Sequence, residues 1–99
     1  MDFKVIWTDS AIDDLKQICE HVSRDNPVAA EKVGRGILGH IALLERFPHI
    51  GPAYPRGSTG NIREIVYGKY RIFYETLDET MVVHILRVWH GARGAPELR

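Results

Sequence analysis

The chain has 99 residues, 44% hydrophobic and 26% charged, and its 13 Lys+Arg balance 13 Asp+Glu to a formal net charge of zero. That balance fits one globular domain over residues 1–99, argues against a disordered or coiled-coil chain, and disfavours a free-standing nucleic-acid binder. The single cysteine, Cys19, rules out an internal disulfide and the cysteine spacings of zinc sites; no apolar run approaches a membrane span, and the start MDFKVIW lacks signal-peptide features, so a cytoplasmic chain without membrane contact is expected.

Phe3 to Trp7 reads as a short strand in which Phe3, Val5 and Trp7 alternate with Lys4 and Ile6. Thr8-Asp9-Ser10 then supplies a helix start, with a hydroxyl for the free amides and Asp9, Asp13 and Asp14 near the positive end of the dipole. Ala11, Ile12, Leu15, Ile18, Cys19 and Val22 follow at spacings of three and four, which predicts an amphipathic helix of about four turns. Asn26-Pro27 closes that helix and opens a second, whose stripe is Ala30, Val33, Ile37, Ile41, Leu44 and Phe47. Gly34, Gly36 and Gly39 each cost about 1 kcal/mol within a helix, and close packing against a neighbour is the reading preferred for them.

Pro48 to Gly60 carries three of the five prolines and three of the nine glycines, so it is a loop. Beyond it, Ile62 to Tyr67, Tyr70 to Thr76 and Thr80 to Trp89 are rich in β-branched and aromatic residues, and Gly68-Lys69 and Leu77-Asp78-Glu79 separate them. The expected fold is α+β in the order β-α-α-β-β-β, an antiparallel sheet with an N-terminal helical hairpin packed on one face. The first strand joins that sheet by pairing with a strand of the meander, because alone its backbone groups have no partners.

Charge is distributed unevenly: residues 1–50 hold six Lys/Arg against eight Asp/Glu, and residues 51–99 hold seven against five. The sheet half is therefore the positive half, with Arg63, Lys69, Arg71, Arg87, His90 and Arg93 threaded through it beside Tyr67, Tyr70 and Trp89. Which face carries Arg63 depends on the Gly68-Lys69 turn. A two-residue loop pairs Ile65 with Ile72 and puts Arg63 on their face, whereas a three-residue loop ending at Tyr70 puts Arg63 with Arg71. The second arrangement is preferred, because burying an unpaired arginine is costly; it places Val66, Ile72 and Tyr74 toward the helices.

His21, His40, His49, His84 and His90 show no paired metal-ligand spacing, no Gly-rich phosphate loop opens a helix, and Ser10, Ser23 and Ser58 lack a nucleophile-elbow context. Neither metal nor cofactor is expected. The arginine cluster supports two chemistries. Arginines could stabilise the charge of an in-line attack on a phosphodiester while His90 moves the proton, or the face could be solvated, its arginines paired with Glu64 and Glu75.

A set of short motifs runs through the chain in order: Thr8, Ala11, Asp14, Leu15 and Ile18 as Thr-x-x-Ala-x-x-Asp-Leu-x-x-Ile; Asn-Pro-x-Ala-Ala over Asn26 to Ala30; Phe-Pro-x-x-Gly over Phe47 to Gly51. Ile-Arg-Glu over Ile62 to Glu64, Tyr-Arg-Ile-x-Tyr over Tyr70 to Tyr74 and Val-x-His-Gly-Ala-Arg over Val88 to Arg93 complete it. Together they resemble the RelE/ParE superfamily of toxins from bacterial type II toxin-antitoxin systems, over nearly the whole chain. The resemblance implies a growth-inhibiting, plasmid-stabilising toxin neutralised by a cognate antitoxin, the pair reaching operator DNA only through the antitoxin.

Within the superfamily, RelE-like members are ribosome-dependent mRNA endonucleases with cationic sheet residues and often a tyrosine near the C-terminus, whereas ParE-like members bind and poison DNA gyrase with no known catalytic residues. Here no tyrosine follows Tyr74, and Val88 is followed by Trp-His-Gly-Ala-Arg-Gly-Ala-Pro-Glu-Leu instead of a basic run, so the ending resembles the ParE-like branch. The implied target contacts are Arg63, Lys69, Arg71, Arg87, Trp89, His90 and Arg93. The alternative, an mRNA interferase acting on the ribosome, would hold phosphate with Arg63, Arg71 and Arg93 and use His90 as acid or base. A third reading is an inactive antitoxin-binding member. Ile12, Val22 and Leu38 are the candidate apolar contacts for the antitoxin.

Overall fold

The computed structural model describes residues 2–98. Strand β1 spans Lys4–Trp7, helix α1 Asp9–Ser23 and helix α2 Pro27–Ala42, which runs on into a 3-10 turn at Leu43–Glu45. After the loop come β2 (Ile62–Tyr67), β3 (Tyr70–Leu77) and β4 (Val82–His90), with a second 3-10 turn at Gly91–Arg93. The caps are those the residue types dictate. Thr8 Oγ1 accepts from Ala11 N–H, and Asn26 Oδ1 accepts from Ala29 N–H with Pro27 in the first turn.

The strand order is β1-β4-β3-β2. β2, β3 and β4 form the expected antiparallel meander, but β1 lies parallel to β4, so the sheet is mixed and not wholly antiparallel. The helices explain this. Helix α1 continues along β4 from Thr8 to the Asp14–Val88 contact, and α2 returns the chain to the end where β1 starts, where Phe3 N–H donates to Glu45 C=O at 2.7 Å. The meander therefore sets out in the direction of β1, and two reversals later β4 again runs that way. Helix α2 also ends sooner than its apolar spacing implied. Leu44 is buried in the 3-10 turn, whereas Phe47 has left the stripe and is 52% exposed.

The turn at Gly68-Lys69 has two residues, with Gly68 at φ +59°, and it pairs Tyr67 with Tyr70, Ile65 with Ile72 and Arg63 with Tyr74. This overturns the preferred three-residue loop. Arg63 therefore sits on the helix-facing side of the sheet, and Val66 on the side of Arg71, where it is exposed. A left-handed residue at Gly68 suits the two-residue turn, and that steric fact outweighs the cost of placing an arginine beside the core. In β4 the register shifts between Phe73 and Tyr74: Phe73 faces Arg87 and Tyr74 faces Ile85, so Leu86 is the extra residue of a bulge.

The main core lies between the helices and the sheet, built from Ala11, Ile37, Ile41, Leu44, Tyr70, Ile72, Tyr74, Val83, Ile85 and Val88. Gly36 lets α2 approach the sheet, since a Cβ there would fall 2.0 Å from the Tyr67 hydroxyl, and a Cβ at Gly34 would lie 3.3 Å from Cys19 Sγ. Close packing thus accounts for these glycines; at Gly39 a Cβ would meet nothing.

Tyr74 is fully buried, and its hydroxyl accepts from Gly51 N–H at 2.9 Å, which seats the Pro48–Gly60 loop. Burial raises the pKa of Tyr74, and of Tyr70, above the usual 10.0. As pH climbs past that value the unfolded chain loses these protons first, so stability is full below it and falls through the folded-state values above it. Urea midpoints should therefore hold level to about pH 9 and decline toward about pH 11. A level midpoint across that range would show the phenols to be hydrated.

Candidate functional site

The side of the sheet away from the helices carries Arg71, Phe73, Leu86, Arg87 and Trp89, the face that the sequence leaves either available to a target or solvated with its arginines paired. It is covered, and its arginines are paired. Tyr54 from the loop, Ile62, Phe73, Leu86 and Trp89 bury one another into a second, smaller core, against which Leu98 from the C-terminal segment packs. The Trp89 indole N–H donates to Gly94 C=O at 2.8 Å, which folds that segment back over the sheet. Tyr54 is held by a short bridge beside β2, in which its N–H donates to Ile62 C=O and Glu64 N–H donates to Pro52 C=O.

Each sheet arginine has an internal partner. Arg71 forms a two-point pair with Glu64 through Nε and Nη2, and its guanidinium lies over the Phe73 ring at 4.9 Å. Arg87 forks onto Asp14 of α1, with Nε and Nη2 each 2.7 Å from a carboxylate oxygen, and Val88 N–H donates to the same carboxylate at 3.0 Å. Those hydrogen bonds raise the pKa of both arginines, so both stay charged at any accessible pH. Arg63 donates to Gly51 C=O at 2.7 Å, while its buried Nε is without a partner among the described residues.

The remaining cations are placed differently. Lys69 is exposed in the β2–β3 turn, and its carbonyl accepts from Gly91 N–H. Arg93 is exposed, lies over Trp89 at 4.1 Å, and forms no ion pair among the described residues. His90 points toward the helix side, edge-on to Tyr70 at 5.5 Å, and its Nδ1 accepts from Ala92 N–H. The seven implied contact residues therefore do not converge: Arg71, Arg87, Trp89 and Arg93 share one side, and Arg63 and His90 belong to the other.

The Arg71–Glu64 pair is partly buried, with 28% and 18% of the side chains exposed, so a double-mutant cycle with alanine at both positions should return a coupling of about 1 kcal/mol. No coupling would mean that Arg71 is free to engage another molecule.

On the outer side of the helices, Ile12 and Leu38 are 41% and 49% exposed and line an apolar groove with Trp7, Leu15, Lys16 and Cys19, about 540 Å³ in volume. Val22 is half-buried on α1 and is not part of it. No helix among the described residues is long and apolar enough to cross a membrane.

The chain, a helical hairpin on a four-stranded mixed sheet whose last strand ends at His90 before the Gly91–Arg93 turn, matches one family over residues 5–94: the ParE toxin of type II toxin-antitoxin system, parDE. The chain belongs to that toxin family. A relative, toxin RelE2 of Caulobacter vibrioides, is 32% identical over 91 residues, covering 91% of this chain and 97% of its own length. The toxin-antitoxin complex RelBE2 of Mycobacterium tuberculosis contains a chain 27% identical, with a TM-score of 0.63 over 91% of this chain and 99% of that one. The chromosomal ParDE system of P. aeruginosa, 21% identical with a TM-score of 0.71 over 89% and 95%, shares the fold. As a ParE-family member the chain sits within the RelE/ParE superfamily of toxins.

Proposed function

We propose that this ParE-family toxin arrests growth by binding DNA gyrase, and that a cognate antitoxin neutralises it. The observation that carries the reading is the state of the sheet arginines: Arg71 and Arg87 are each held two-point by a carboxylate, and Arg63 is turned onto a loop carbonyl. An endonuclease needs cations free to meet the charge that develops on a phosphodiester. Among the described cations of the sheet cluster, those left without an internal partner are Arg93 and, at the turn, Lys69, which suits surface contact with a protein better than phosphoryl transfer. The apolar groove of Trp7, Ile12, Leu15 and Leu38 suits the hydrophobic side of an amphipathic antitoxin segment, and operator DNA is contacted only through the antitoxin. Gyrase as target places the toxin in the cytoplasm.

The second reading, an mRNA endonuclease, is favoured by Arg93 and His90, which stand two turn residues apart at the end of β4 with donors to spare. Inducing the chain without its antitoxin separates the readings. Gyrase binding gives filamentous cells and loss of plasmid supercoiling while messages stay intact; message cleavage within translated codons before any change in supercoiling would replace it with the second reading. Unimpaired growth would leave an antitoxin-binding module that has lost its toxicity.

A further inference from the structure

A groove of about 400 Å³ runs along the outer edge of β2, between the end of α2 with its 3-10 turn and the start of the Pro48–Gly60 loop. His40, Leu43, Ile50, Pro52 and Val66 line it. Its aliphatic side chains stand in solvent, Leu43, Ile50 and Val66 being 46%, 59% and 56% exposed. An apolar patch of this kind, with neighbouring side chains exposed together, ordinarily marks a place where another molecule sits. The backbone agrees. β2 is an edge strand, and the Pro52–Tyr54 segment covers only its first half, where Tyr54 N–H donates to Ile62 C=O and Glu64 N–H donates to Pro52 C=O. Strand alternation turns the N–H and C=O of Val66 to the same edge, and no described residue pairs with them.

Ile50 is not left out by a slack loop. Gly51 N–H donates to the buried Tyr74 hydroxyl at 2.9 Å, Gly51 C=O accepts from Arg63 at 2.7 Å, and His49 Nε2 lies 2.9 Å from an Asp78 carboxylate oxygen. Gly51 itself is buried, and a Cβ there would fall 2.5 Å from the Glu64 carbonyl oxygen. Both neighbours of Ile50 are anchored, so the patch is preorganised and a partner need not order it. Its borders say what fits. Glu64, the acid along the groove, is already held by Arg71. The unpaired charges nearby are cations: Lys69 in the turn just past β2, and Arg46, which lies over the Phe47 ring and has no acid partner among the described residues. A second copy would set cationic rim against cationic rim, whereas a surface of aliphatic side chains bordered by carboxylates is complementary. We infer that this patch is where the toxin docks on its target, an aliphatic, acid-bordered protein surface meeting Leu43, Ile50 and Val66; that the target is gyrase rests on the function proposed above. The patch lies at the β2 edge, at the other end of the strand order from the groove that Trp7 of β1 lines, so it is separate from the site suited to the antitoxin.

Binding of the purified full-length toxin to immobilised gyrase holoenzyme tests the assignment. Ile50→Asp and Leu43→Ser, both at exposed positions, should leave the Tm unchanged and each weaken gyrase binding at least about tenfold. Val28→Asp, at an exposed apolar position on α2 outside the patch, should bind as the native chain does. Native affinity in both patch variants would overturn this inference and leave the gyrase reading standing; no binding by the native toxin would overturn both. A concentration-dependent dimer abolished by Ile50→Asp would give the patch to a second copy, and loss of the co-expressed antitoxin on that substitution would give it to the antitoxin. Either result overturns the inference.

Discussion

Replacing Asp14 with alanine lowers the free energy of unfolding by about 3 to 5 kcal/mol, the largest loss expected from any polar substitution in this chain. The carboxylate is buried on α1, takes both arms of Arg87, and caps Val88 N–H where β4 has run past the end of β1 and has no strand on that edge. Without it a largely buried guanidinium and a buried amide are left with nothing, and each carries a desolvation cost. For a domain of this size the loss corresponds to a fall in Tm of at least about 12 °C. Asp14→Asn keeps an acceptor for the amide and should lose less, and joint replacement of Asp14 and Arg87 by leucine and methionine should recover much of the loss, because it removes both buried charges together. Thermal unfolding of the four proteins checks this; a shift for Asp14→Ala no larger than that of an exposed ion pair would mean that Arg87 is solvated and available to a target.

The second large effect lies on the opposite side of the sheet. Phe73 has 0% exposure although it points away from the helices, under Arg71, Tyr54 and Trp89. Phe73→Ala should therefore cost about 3 to 5 kcal/mol, the loss expected of a core phenylalanine. Urea denaturation reads the difference directly. A cost under about 1 kcal/mol would put Phe73 on a solvated face of the kind the cation pattern alone suggested.

These two residues show where the sequence is legible. The helices, the meander and the helix-side core follow from apolar periodicity and caps, as at Thr8 and Asn26, because those signals are local. Asp14 was legible in part: it falls three residues after Ala11 and four before Ile18, on the buried stripe, and a carboxylate there demands a cation. Its partner Arg87 is 73 residues away, and no spacing rule names it. The pair Arg71–Glu64 was readable as neighbouring strands, once the turn length was known. The length of that turn follows from the left-handed conformation that Gly68 permits, which outweighs the cost of placing Arg63 beside the core. The second core was invisible for another reason. It needs Tyr54 from an irregular loop and Leu98 from the C-terminal segment to meet Phe73 and Trp89, and neither segment has a period from which its facing side could be read. Parallel pairing of β1 likewise depends on where α2 delivers the chain, a property of the whole fold.

The arginines of this ParE-family toxin hold its own sheet together, and gyrase binding is what we propose for its toxicity. Purified toxin added to gyrase, ATP and relaxed plasmid provides the most direct measurement. The account predicts loss of supercoiling at near-stoichiometric toxin, with messages intact in a parallel translation extract. Full gyrase activity beside cleavage of message on the ribosome would contradict it.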